Sequence, residues 1–347
     1  MLNSKNKYYQ VFIYFIIFSL CLLISYRDFL VTLKLMLFSS YNFSMLPFDN
    51  YYKMNLLIDG KANESPGYPW SSRHIANFFN YFIYKIAPCI EVSKIPNGIS
   101  RDVYCSYWGL ALSNYICTVL FQMSSFIYVI KILKRTMIEG IIVLFISYFI
   151  ISLSDRFGVD RFSILCISIF LFFINQKLYK YLFIFTSIFI NEKITIFIAS
   201  YYFCENISQY KRNNKIDFLS TILPVSLFFA YIFYHVVFDI EKSPSLIMNH
   251  LNGSIVDRNF FTFHALANSL IPILITTLPY LFFFKDKNIL KEFRLERAHV
   301  IILILFTFLG WLGGGSGNAG RLIIYTSPIF LPIYGYFLMN FIKKLKI

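Results

Sequence analysis

Charge is what this sequence has least of. Of its 347 residues, 14% are charged, against about 25% in an ordinary soluble domain. So few charges argue against a string of soluble domains. Histidine is rare too: the five residues, at 74, 235, 250, 264 and 299, are too scattered for a metal centre. The six cysteines lack metal-ligand spacing. Four of them, Cys21, Cys117, Cys166 and Cys204, lie in or at the ends of apolar runs and read as packing residues. Cys89 and Cys105 flank a polar loop, and can form a disulfide if that loop is outside the cytoplasm. No internal repeat, soluble domain or low-complexity linker is visible. The run Gly313–Gly314–Gly315 lacks the Lys–Ser/Thr pair of a phosphate loop. These glycines are expected to end a helix and let the backbone turn tightly.

What is abundant is apolar and aromatic sequence, 57% and 20% of the chain, with a mean hydropathy of +0.60. Apolar runs of about twenty residues recur from end to end, which predicts an all-α polytopic membrane protein with about ten transmembrane helices. The expected spans are 8–26, 107–130, 137–154, 162–176, 180–191, 193–205, 217–239, 263–284, 299–314 and 322–341. The fifth and sixth are short, and predict either a hairpin of half-helices or one broken helix. The first run follows "MLNSKNK" and lacks a small-residue cleavage site, so it reads as a retained helix rather than a signal peptide. The whole chain, 1–347, reads as a single integral membrane domain.

The net charge of +14 is assigned to the positive-inside rule and not to nucleic acid. With the N-terminus inside, the cytoplasmic segments hold eighteen of the thirty-two basic residues and six of the eighteen acids. The inside then nets +12 and the outside +2. Both termini come out cytoplasmic. One large segment, 27–106, falls outside; within it, 29–41 and 73–88 are expected to be amphipathic helices on the membrane surface. The remainder, 107–347, is the expected helix bundle.

Most charged oddities fall on that outer side. The first loop contributes Asp49 and Tyr52, then Arg73 and His74. The segment "SDRFGVDRF" contributes Asp155, Arg156, Asp160 and Arg161. Arg258 lies in a later loop and Arg321 precedes the last span. In "FTSIFINEKITIFIAS" an Asn191–Glu192–Lys193 triplet interrupts an apolar run, where charge is costly unless paired or functional. Taken alone, Asp49 is equally a helix cap, and the Asp–Arg pairs a solvated turn. Glu192 and Lys193 can pair with each other or with Arg156 or Arg161. No divalent metal is indicated.

Together these residues resemble a family. A first helix is followed by a large loop with D-x-x-Y…L-x-x-G (Asp49, Tyr52, Leu57, Gly60), then R-H-x-x-x-x-F (Arg73, His74). Asn191–Glu192 interrupt an apolar run, and G-R-L-x-x-x-x-S-P-x-x-L-P (Gly320, Arg321, Ser327, Pro328, Leu331, Pro332) enters the last span. This order resembles the GT-C class of integral membrane glycosyltransferases in its bacterial forms. The resemblance implies a hexosyl transfer on the outer side of the bacterial cytoplasmic membrane. The donor would be a polyprenyl-phosphate-linked sugar, with no further cofactor. The acceptor would be a surface glycan or a lipid-linked glycan, as in O-antigen and other cell-envelope polysaccharides. Asp49, alone or with a partner such as Asp59, would be the general base. Arg321 would stabilise charge on the leaving phosphate, with Arg73, Lys193 and Arg258 behind it. Glu192 would orient a cation or bind sugar hydroxyls, and Tyr52, Tyr68 and Trp70 would stack on the sugar. An O-antigen or capsule repeat-unit polymerase is the related alternative. Other classes are a flippase of lipid-linked sugars and an O-acyltransferase built on His235.

Overall fold

The computed structural model describes residues 7–42, 49–61, 74–90, 99–153, 160–174, 176–213, 216–238, 263–312 and 322–345. Every regular element among them is helical. In chain order these are α1 (Lys7–Asn42), α2 (Asp49–Ile58), α3 (His74–Ile86), α4 (Arg101–Ile127), α5 (Met137–Ser152), α6 (Asp160–Phe173) and α7 (Lys177–Ile190). They continue with α8 (Glu192–Asn213), α9 (Phe218–Phe238), α10 (Phe263–Phe283), α11 (Lys287–Glu292) and α12 (Val300–Leu312). The last two are α13 (Ser327–Phe330) and α14 (Pro332–Lys344). Helix starts follow local chemistry. The Ser100 hydroxyl accepts the Val103 N–H ahead of α4, and Thr136 and Glu139 form a reciprocal capping box on α5. The Asp286 carboxylate accepts two N–H groups of α11.

The central column is α4, on which α1, α2, α3, α5 and α6 all pack. It buries small and polar residues, among them Ser106, Gly109, Ala111, Ser113, Asn114 and Gln122. Small residues let neighbouring backbones approach: a Cβ on Gly109 would lie 2.9 Å from Tyr84 Cβ of α3. The polar ones tie helices together. Asn55 donates to Ser106 at 2.7 Å, Ser113 to Asn80 at 2.5 Å and Ser25 to Gln122 at 2.8 Å.

The outer surface is the reverse. Phe12, Phe15, Leu182, Phe229, Phe282 and Ile304 are all exposed. In α3 the arrangement is sharpest. Its buried face is Ala76, Asn77, Asn80 and Ile83, while Ile75, Phe78, Phe82 and Ile86 form an exposed stripe at helical spacing. Water would normally drive that stripe inward. This helix realises the amphipathic segment expected at 73–88.

Among the described residues two helical stretches, Tyr8–Leu35 and Arg101–Ile132, are long and apolar enough to cross a membrane. Other apolar helices are shorter, among them Met137–Ser152, Phe218–Tyr231, Leu270–Phe283 and Arg297–Phe308. One boundary is corrected. The first helix does not end at Tyr26, and 29–41 is not a separate surface helix: α1 runs unbroken to Asn42. Phe29 and Leu33 are buried beyond that point, and Phe29 meets Trp108 edge-on at 6.2 Å. Asp28, two residues past the expected end of the span, has a partner inside the bundle, Arg161.

Candidate functional site

Helix lengths create the site. The 27 residues of α4 rise about 40 Å, whereas the 14 residues of α6 and of α7 each rise about 21 Å. The start of α6 and the end of α7 therefore lie partway along the bundle, and both carry polar residues.

At the tip of α7 the chain reverses on one residue. Asn191 is extended (φ −170°, ψ 132°), and α8 begins at Glu192. Ser187 and Thr195 share a 2.9 Å hydrogen bond, and the Lys180 ammonium sits 4.4 Å over the Tyr202 ring. Both pairs are centred on residue 191, so α7 and α8 form an antiparallel hairpin. Of the two forms expected for 180–205, the hairpin is observed. Asn191 is fully buried. Its amide donates to Ser163 at 2.9 Å and to the Tyr325 hydroxyl at 3.2 Å, and its carbonyl accepts the Lys193 N–H at 3.2 Å.

The first residues of α6 complete the cluster. Asp160 and Arg161 are 0% and 1% exposed. The Tyr325 hydroxyl donates to Asp160 at 2.5 Å. Lys193 Nζ lies 3.4 Å from the same carboxylate and 5.4 Å from the Tyr325 ring centroid. Arg161 forms a buried ion pair with Asp28 of α1 and donates to Thr118 of α4 at 3.1 Å. Two acids and two bases thus balance in charge. Arg161 keeps a reserve: its Nε and Nη2 have no hydrogen-bond partner among the described residues. A guanidinium carries five N–H donors in a planar fork suited to phosphate or carboxylate. Leaving buried donors unmade costs about 1–3 kcal/mol. Those unspent donors are what an anion would engage.

The predicted residues fall into three groups. Asp160 and Lys193 are brought together. Lys193 pairs with Asp160, a partner outside those expected for the Glu192–Lys193 element. Glu192 is half-buried in the first turn of α8. The exposed His74 is near the hairpin tip, its ring 6.3 Å from that of Phe189. The half-buried Tyr52 is on α2, which Asn55 fastens to α4. Asp49 opens α2, but its side chain is outside the described residues, as are Arg73, Asp155, Arg156, Arg258 and Arg321. Tyr68 and Trp70 are outside them too.

No family model, curated protein or solved structure matches the chain.

Asp59 is a poor choice of base. Its carboxylate accepts from the Tyr81 hydroxyl at 2.6 Å and from Lys85 at 2.9 Å. These hydrogen bonds, Tyr81's first and then Lys85's, hold its pKa below the usual carboxylate value. The cluster members that the sequence left unmarked are Asp28, Thr118, Ser163 and Tyr325. Continued helical periodicity past residue 26 was the available signal for Asp28. Nearby, Cys89 and Cys105 are disulfide-bonded. Among the described residues no group of three or more His, Cys, Asp or Glu is placed to hold a metal.

Proposed function

We propose that the chain is a polytopic membrane glycosyltransferase of GT-C type, transferring a sugar from a polyprenyl-phosphate-linked donor to a surface or lipid-linked glycan on the extracytoplasmic side. The observation that carries it is the buried cluster at the α7–α8 tip, whose Arg161 has donors to spare.

Several features support the membrane part. Apolar side chains cover the outside of the molecule while Ser25, Gln122, Ser168 and Asn191 are buried, a distribution that suits lipid as solvent. The exposed stripe of α3 suits a helix lying in the interface. Basic side chains gather at the other end, where Arg135 pairs with Glu292 and Arg212 with Glu296, as the positive-inside rule requires of a cytoplasmic face. The Cys89–Cys105 disulfide suits an oxidising, non-cytoplasmic compartment.

Chemically, sugar transfer from a lipid phosphate needs a base for the acceptor hydroxyl and cations for the leaving phosphate. Arg161 and Lys193 supply positive charge at the tip. Asp160 and Tyr325 hold Lys193 in place, and Asp28 orients Arg161. By the resemblance, Asp49 is the base and Arg321 a further phosphate ligand. A polar hairpin tip within the bundle also suits a flippase of lipid-linked sugars, which is the second reading.

Proteoliposomes loaded with a radiolabelled polyprenyl-phosphate hexose separate the two. Transfer predicts a new glycosidic bond, lost in Arg161→Lys, Lys193→Met and Asp49→Ala. Label that crosses the bilayer without any new bond would replace the transferase with a transporter. A ladder of products would mark a polymerase.

A further inference from the structure

We propose that a second site, at the basic end of the bundle, binds a phosphate ester. It is a cavity of about 430 Å³ between the basic ends of α7 and α8, the start of α9 and the segment following α11. That volume is within the range of small-ligand pockets. It shares no residue with the cluster at the hairpin tip.

Five cations line it: Lys177, Lys180, Arg212, Lys291 and Arg294. The acids are three, Glu205, Asp217 and Glu296, and each already has a partner. Lys180 bonds Asp217 at 2.5 Å, Arg212 bonds Glu296 at 2.7 Å and Gln209 donates to Glu205 at 3.1 Å. Five against three leaves two positive charges in excess. Among the described residues, Lys177, Lys291 and Arg294 are in no ion pair. Arg294 lies beside the Tyr128 hydroxyl and close enough to Tyr201 for its charge to be felt there, and neither is an acid. All three are exposed, so they are free to turn to a ligand.

A further observation points to a ligand. Tyr202, 4% exposed, lines the cavity, and its hydroxyl has no hydrogen-bond partner among the described residues. A buried donor in that state is normally satisfied by something. A phosphate oxygen would satisfy it while compensating the surplus charge. Tyr181 and Tyr201, also in the wall, offer aromatic surface to the organic part of the ester. The same chemistry is presented by an anionic phospholipid headgroup and by a soluble phosphate ester, and the experiment distinguishes them.

Full-length protein is placed in nanodiscs of phosphatidylcholine alone and in nanodiscs containing phosphatidylglycerol. Acetylation of Lys177 and Lys291 is then timed by mass spectrometry. A soluble ligand predicts that a nucleoside monophosphate slows both lysines about tenfold in phosphatidylcholine discs, while sulfate at equal ionic strength does not. A headgroup predicts the same slowing in phosphatidylglycerol discs without any soluble addition. In either case Arg294→Gln abolishes the protection, and Tyr202→Phe weakens it about threefold or more. Unchanged rates in both discs overturn the proposal, as does equal protection by sulfate, which would mark an adventitious ion only.

Discussion

Asp28 and Arg161 make the sharpest test of the fold. Their side chains are 4% and 1% exposed, so neither charge has water to fall back on. Asp28→Leu leaves the guanidinium with Thr118 as its one side-chain partner among the described residues. Breaking one side of a buried pair costs about 3–5 kcal/mol. At roughly 2 °C per kcal/mol for a chain of this size, that is a Tm lower by about 6–10 °C. Arg161→Met should cost a similar amount by removing the buried cation that the Asp28 carboxylate faces. The double variant Asp28→Leu/Arg161→Met removes both charges. Thr118 stays satisfied, since its hydroxyl also donates to the Asn114 carbonyl at 2.8 Å. The double variant should therefore recover most of the loss, with a coupling of about 2 kcal/mol or more. Thermal unfolding of the four proteins in nanodiscs at neutral pH measures this. Two single variants within about 1 kcal/mol of the parent, or a double variant losing the sum of both, would refute the buried pair. If the proposed sugar transfer is found, a recovered fold without recovered transfer would further assign Arg161 to the anion and not merely to the scaffold.

Three more expectations follow from local geometry. Gly335→Ala should destabilise by about 1–3 kcal/mol, because its Cβ would lie 2.6 Å from the Glu139 carbonyl oxygen, a backbone atom that cannot rotate away; a thermal shift assay reads this. Cys89 and Cys105 should resist alkylation until reduced, and Cys89→Ser should cost about 3 kcal/mol for a bridge spanning 16 positions. The Asp59 tie between α2 and α3 should be pH-dependent in one direction. Its pKa is depressed in the folded state, by Tyr81 first and Lys85 next, so its contribution is present above the unfolded value and lost as pH falls through the lower folded one. Hydrogen exchange of the α2–α3 segment should stay slow from neutral pH through the ordinary carboxylate range and rise below it. In Asp59→Asn that acid step should vanish, and a step that persisted would assign it elsewhere.

Helix positions were largely legible. The run 137–154 is α5 at Met137–Ser152, 217–239 is α9 at Phe218–Phe238, and 263–284 is α10 at Phe263–Phe283, because an apolar run of this kind has few alternatives to a helix. The hairpin was half-legible: the "INEK" break was visible, but a single Asn reversing the chain was not. The site was legible only for residues whose charge is conspicuous. Asp160 and Lys193 stood out as ions in apolar sequence. Tyr325 and Thr118 did not, since a tyrosine or threonine in such a run reads as packing until its partner is known. The expected first span ended at residue 26, short of Asp28, for a related reason: the cation that keeps this acid inside the bundle lies 133 positions away.

That separation also has a timing. At about 5–20 residues per second of synthesis, 133 positions take roughly 7–27 s. For that interval the Asp28 carboxylate waits for the guanidinium it faces in the finished fold. Ser25, three residues earlier, finds Gln122 well before Arg161 is made. The growing chain can therefore fasten α1 to α4 through Ser25 and Gln122 before Asp28 meets the guanidinium of Arg161.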